Sequence, residues 1–189
     1  MNHLLAVSLA AVIGGRVCAQ PEDPFWIAAA DASSAMTPQN VVQAWPERAQ
    51  TIAKAMIEKY GLPHQYNDSA LAWTNNGPWR KTVIRRSGVL EQTIGYEVSA
   101  DAVADLRRFD KRLKVDLAKH QMSASSESEQ LNFLAFNLAD EIARGNRTVR
   151  SARAFYDKTV RLANAGKTSR YMSGFLFKGH RLMNETYYP

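Results

Sequence analysis

Apolar positions along this chain alternate between helical and strand periods. From Pro46 to Tyr60, Ala49, Ile52, Ala53, Met56, Ile57 and Tyr60 recur at the i, i+3, i+4, i+7 spacing of one buried helical stripe. Pro46 suits the first helical position, where its missing N–H costs nothing, and Gly61 followed by Pro63 stops the run. Thr37-Pro38 begins a shorter helix that Pro46 interrupts. Ser99 caps a further helix of about ten residues with Val103, Leu106 and Phe109 inward. Ser126 and Glu129 have capping-box spacing, and the helix they open buries Leu131, Leu134, Ala135, Leu138 and Ile142 before Gly145 ends it. Thr148 caps the last long helix, which turns Val149, Ala152, Phe155, Tyr156, Thr159 and Ala163 inward and stops at Gly166.

Strand period governs "TVIRRSGVLEQTIGYEV". A two-residue turn at Gly88-Val89 sets Arg86 opposite Glu91 and Arg80 opposite Glu97. One face then carries opposite charges, and the other carries Trp79, Val83, Ile94, Tyr96 and Val98. Upstream, "WTNNGPW" joins Trp73 to Trp79. A tight Asn76-Gly77 turn needs an N–H at residue 78, which Pro78 lacks. A five-residue loop, Thr74 to Pro78, places Trp73 across from Trp79 and Leu71 on the same apolar face. The two indoles then read as core side chains rather than a binding loop. "RLKVDLAKH" alternates Leu113, Val115 and Leu117 inward, and Tyr171 to Phe177 either adds an edge strand or docks as coil. The order of elements predicts an α+β fold: a small antiparallel sheet of about four strands packed on one face by about four helices, in one domain spanning 37–189.

The ends of the chain add a location. Leu4 to Gly15 is apolar but too short to span a bilayer about 30 Å thick. Val17-Cys18-Ala19 offers small residues at a signal-peptidase site, which predicts a leader over 1–19 and a first mature residue Gln20. Arg16 and Val17 are poor residues to precede a lipidated cysteine. Removing the leader takes away Cys18, the one cysteine, and with it disulfide, thiol-nucleophile and cysteine-metal chemistry. It also takes Arg16, so the remainder carries one charge less than the formal +6 of the whole chain. Residues 20–36 are rich in Pro, Ala and Ser and read as a flexible lead.

Candidate chemistry is sparse. No HExxH, GxSxG, Walker loop or metal-spaced pair occurs, and the sequence suggests neither metal nor cofactor. His64, His120 and His180 fall in unrelated segments. His64 neighbours Asn67, Asp68 and Ser69, and His120 ends a strand. Either could serve a hydrolase with carboxylates from distant segments, but a surface or capping histidine is the plainer reading of both. Asn137, Asp140, Glu141 and Arg144 share one side of a helix, a grouping expected to be a solvated face with an Asp140–Arg144 pair. Arg107, Arg108, Lys111, Arg112 and Lys114 form the densest basic run, interleaved with Asp101, Asp105, Asp110 and Asp116. A solvated helix face is the plainer reading of this run; without stacking aromatics or a nucleic-acid module, a binding role would take anionic lipid headgroups, acidic polymers or another protein as partner. Sequons stand at Asn67, Asn146 and Asn184.

"WTNNGPWRKT", "VLEQTIGYEV" and "LNFLAFNLADEIARG…SARAFYDKT" resemble segments of an uncharacterised family of exported bacterial proteins. The resemblance implies a periplasmic or secreted location, and no activity or site residues. The leading expectation is an exported, non-catalytic binding or envelope-associated protein. Its rivals are the histidine hydrolase and a structural scaffold element.

Overall fold

The computed structural model describes residues 27–28 and 37–177. The expected leader and its cleavage site, most of the lead, His180 and the Asn184 sequon lie outside the described residues. The helices are α1 (Pro38–Gln43), α2 (Glu47–Tyr60), α3 (Ala100–Phe109), α4 (Glu129–Ala143) and α5 (Val149–Asn164). The strands are β1 (Ile27–Ala28), β2 (Gln65–Asn67), β3 (Ala70–Asn76), β4 (Trp79–Arg85), β5 (Leu90–Gly95), β6 (Lys114–Asp116) and β7 (Gln121–Ser126). They form one antiparallel sheet in the order β1-β2-β3-β4-β5-β7-β6, six strands of three or more residues with the two-residue β1 at its edge. The α+β class stands, and the sheet is wider than the four strands expected.

The helices fall where the apolar stripes place them. Thr37 and Thr148 cap α1 and α5 with their side chains, Gly61 ends α2 at φ +78°, and Pro46 stands at the cap of α2 rather than inside it. Val41, Trp45, Ala49, Tyr66, Leu71 and Trp73 belong to one buried cluster, formed where α1 and α2 meet the β2–β4 side. Trp79, Ile94, Tyr96, Leu106, Met122 and Phe136 belong to a second, under α3, α4 and α5. The cross-strand row Trp73–Thr82–Gln92–Ala124 runs from one cluster to the other, so both lie on the same face of the sheet.

Both hairpin registers differ from expectation. Between β4 and β5, Ile84 pairs with Leu90 and Thr82 with Gln92. The loop is three residues, Arg86 to Gly88, closed by Arg85 N–H donating to the Val89 carbonyl at 3.0 Å, with Gly88 at φ +80°. A slip of three residues is odd, so it moves Val83 off the helix-covered face, while Trp79, Ile94, Tyr96 and Val98 stay together in the core as expected. Ile84 and Leu90 turn inward, fully buried, while Val83 and Glu91 share the opposite face. Glu97 lies past the end of β5, and the expected Arg80–Glu97 pairing does not form. Both turns need the glycine, and the one observed is the one that buries two large aliphatic side chains.

Between β3 and β4 the turn is Gly77-Pro78, with Asn76 opposite Trp79 and Trp73 opposite Thr82. Gly77 takes φ +63°, a region glycine enters without a Cβ penalty. The closing position passes to Trp79, so the missing N–H of Pro78 costs nothing. Asn75, at φ +50°, breaks the alternation near the tip. Asn76 and Trp79 thereby rejoin the helix-covered face, where Asn76 Nδ2 donates to Thr82 Oγ1 at 3.0 Å. The indoles of Trp73 and Trp79 are buried, at 0% and 1% exposure, although they do not pair with each other.

Candidate functional site

Ser128, not Ser126, caps α4: its hydroxyl accepts from Leu131 N–H at 3.3 Å. Ser126 is the last residue of β7 and donates to the Ser128 carbonyl. The expected capping box is therefore absent, and Glu129 is released to the interior. Its carboxylate accepts from Tyr60 Oη at 2.5 Å, Trp79 Nε1 at 2.7 Å and Gln92 Nε2 at 3.2 Å, and it pairs with Lys59. Gln92 Oε1 in turn accepts from the buried Asn132 Nδ2 at 2.9 Å. This polar seam ties α2, β4, β5 and α4 together where the two apolar clusters meet. Burial alone would raise the Glu129 carboxyl, but hydrogen bonds from Lys59, Tyr60 and Trp79 outweigh it and hold the carboxyl below the ordinary glutamate range. Burial, with the neighbouring Glu129, pushes the Tyr60 hydroxyl up. An ionised carboxylate already accepting three hydrogen bonds and an ion pair has little capacity left to act as a base. Its chemistry is that of a brace.

Two of the four residues grouped on α4 are interior, which corrects the solvated face expected of them, while Arg144 stays exposed and makes the expected pair with Asp140. Asn137 and Asp140 are each 2% exposed. Asp140 pairs with Arg144 and accepts from Tyr96 Oη at 2.7 Å. Asn137 holds the tail: its Nδ2 donates to the Tyr171 and Gly174 carbonyls at 2.9 and 2.8 Å, and its Oδ1 accepts from Leu176 N–H at 2.8 Å. Tyr171 to Phe177 docks as a 3-10 turn and coil, not as a strand.

The histidines are far apart in purpose as well as in sequence. His64 Nδ1 accepts from the Thr74 backbone N–H at 2.9 Å and lies 3.0 Å from Thr74 Oγ1. His120 sits at φ +49° before β7, where its carbonyl accepts from Tyr96 N–H at 2.8 Å. Among the described residues neither histidine side chain bonds a carboxylate, and no group of three or more His, Cys, Asp or Glu side chains could hold a metal ion. Leu117, expected inward, is 43% exposed because β6 ends at Asp116.

The basic run is the part of the candidate site that the fold assembles. α3 ends at Phe109, the chain turns through Asp110, and β6 starts at Lys114, so the run wraps one end of the helix. Arg107, Arg108, Lys111 and Lys114 surround a groove of about 800 Å³, joined by Arg153 from α5. Val103, Ala104, Leu113 and Val115 form its apolar lining, and no carboxylate lines it. Three of the four interleaved acids are paired locally: Asp105 with Arg108, Asp110 with Arg112 and Asp116 with Lys119. Arg112 is drawn out of the groove. It forks Asp110 at 2.8 and 3.0 Å and reaches Tyr156 Oη at 3.1 Å, and Asp110 raises its guanidinium above the ordinary arginine value. Lys114 pairs with Glu91 at 3.1 Å. Arg107 and Lys111 are exposed, with no hydrogen bond or ion pair among the described residues. Local sequence reading missed Arg153, whose only signal was its place on the polar side of an amphipathic helix.

Comparison with known proteins finds no matching family model, no similar curated protein and no similar solved structure.

Proposed function

We propose that this is an exported, non-catalytic protein that binds an anionic envelope component in the groove between α3, β6 and α5. The observation that carries the reading is five cations around an apolar lining that contains no acid. Such a groove attracts a carboxylate or phosphate, and its lining holds no carboxylate, histidine, serine or cysteine. The hydrolase alternative loses support from His64, whose Nδ1 is given to Thr74. Export is supported by the apolar leader ending in Val17-Cys18-Ala19 and by the resemblance of the two hairpin segments to exported bacterial proteins.

Titration of isotope-labelled protein with digalacturonate, a small dianion, should shift backbone amides between residues 103 and 115 and around Arg153. The shifts should shrink steeply from low to physiological salt, since exposed charges are screened over about 8 Å there. Shifts centred on α1 or α2, or none at any salt, would remove the groove from consideration.

A further inference from the structure

Resting on that reading, we infer that the partner is a linear acidic polysaccharide, running from the α3–β6 groove into a second groove at the start of α5. The second groove, about 700 Å³, is lined by Arg108, Arg147, Arg150 and Arg153 together with the partly exposed Val149. Arg108 and Arg153 line both grooves, so the two share a wall. That wall is fixed by backbone, because Arg153 donates to the carbonyls of Arg108 and Phe109. Asp105 also stands there, already paired with Arg108.

Beyond the wall, the exposed cations diverge. Arg107 and Lys111 stand on the first side and Arg150 on the second, all without hydrogen bond or ion pair among the described residues. Arg147 pairs with Glu141 and lies 4.7 Å from the Phe155 ring centre, so it shapes the groove from a fixed position. The sequence of surfaces is thus cation, apolar strip, cationic ridge, apolar strip, cation. A small anion engages one groove only. A polyphosphate has no apolar surface to set on the partly exposed Val103, Ala104 and Val115 or on Val149, and a bilayer is too flat to enter two concavities. A carboxylated sugar chain alternates charge with C–H ring faces and matches both features. Arginine, the dominant cation, presents a planar fork suited to carboxylates.

The test compares polygalacturonate with digalacturonate on the full chain at low salt. The polymer should bind at least about tenfold more tightly, because a chain held in one groove is delivered to the other at high effective concentration. Arg150→Gln should narrow that ratio about threefold, in keeping with the loss of one exposed charge contact. Arg107→Gln combined with Lys111→Gln should weaken both ligands. If the double variant leaves both ligands unchanged, the groove reading itself fails. If it weakens both while Arg150→Gln leaves the ratio intact, or if polymer and disaccharide bind alike, the second groove is overturned and the first stands. Tighter binding to polyphosphate or to phosphatidylglycerol vesicles than to polygalacturonate would also overturn the choice of a polysaccharide.

Discussion

Glu129→Ala should lower the unfolding free energy by about 3–4 kcal/mol, and Glu129→Gln by about 1–2 kcal/mol. Alanine leaves Trp79 Nε1, Tyr60 Oη and Gln92 Nε2 without their shared acceptor at a site only 6% exposed. Glutamine keeps one acceptor oxygen and loses the charge that Lys59 neutralises. Lys59 is half exposed, so the stranded cation can be solvated, which keeps the loss below that of a fully buried pair. The pH dependence has a definite sign. With the folded carboxyl below its ordinary value, the unfolded chain takes up the proton first as pH falls. The stabilisation is complete above about pH 4.3, the unfolded value, and is lost as pH drops through the folded one. Urea unfolding at neutral pH and below pH 4 should therefore show the gap between the native protein and Glu129→Gln closing in acid. A gap of constant size would mean that the carboxylate does not brace the seam.

Trp79→Ala should cost about 3–5 kcal/mol, the usual loss for truncating a large buried aromatic. Its ring lies 4.8 Å from Phe133, 5.2 Å from Phe175 and 5.9 Å from Phe136, centre to centre. Trp79→Phe keeps part of that contact and removes the N–H that Glu129 and Tyr60 Oη share, at about 1–2 kcal/mol for the lost hydrogen bonding besides the volume of the smaller ring. The phenylalanine and Glu129→Gln changes should be non-additive by at least about 0.5 kcal/mol, because they act on one hydrogen bond. Calorimetry or denaturant melts decide this. An effect of Trp79→Ala within about 0.5 kcal/mol would mark the indole as a surface group after all.

Long amphipathic helices were legible in the chain because their stripes, caps and glycine stops agree, as they do for α2 and α5. The sheet was less so, for identifiable reasons. β7 spells "QMSASS", in which only Met122 and Ala124 mark the buried face, and its serines resemble a loop. The β4–β5 turn offered two glycine-compatible registers, and charge pairing across the hairpin favoured the wrong one. Glu129 was hidden by a local motif: Ser126 and Glu129 have capping-box spacing, but β7 runs on to Ser126 and leaves the cap to Ser128. Asn137 and Asp140 looked solvated because helix periodicity cannot register a docked tail or a tyrosine from β5's far end. For the groove, Arg107, Arg108, Lys111 and Lys114 were visible as a run. Arg112 being tied to Asp110 and Arg153 arriving from α5 are tertiary facts.

The proposed anion binding rests on where the cations stand rather than on net charge. Two variants that each lose two positive charges separate position from charge: Arg107→Gln with Lys111→Gln in the groove, and Lys54→Gln with Lys158→Gln outside it. Polygalacturonate affinity is measured for both at low salt, beside the native protein, with melting temperatures to confirm folding. The groove variant should lose about tenfold, equivalent to about 1.4 kcal/mol, and the other no more than about twofold. Equal losses in the two variants would overturn the groove and reduce the basic run to a contribution to overall charge.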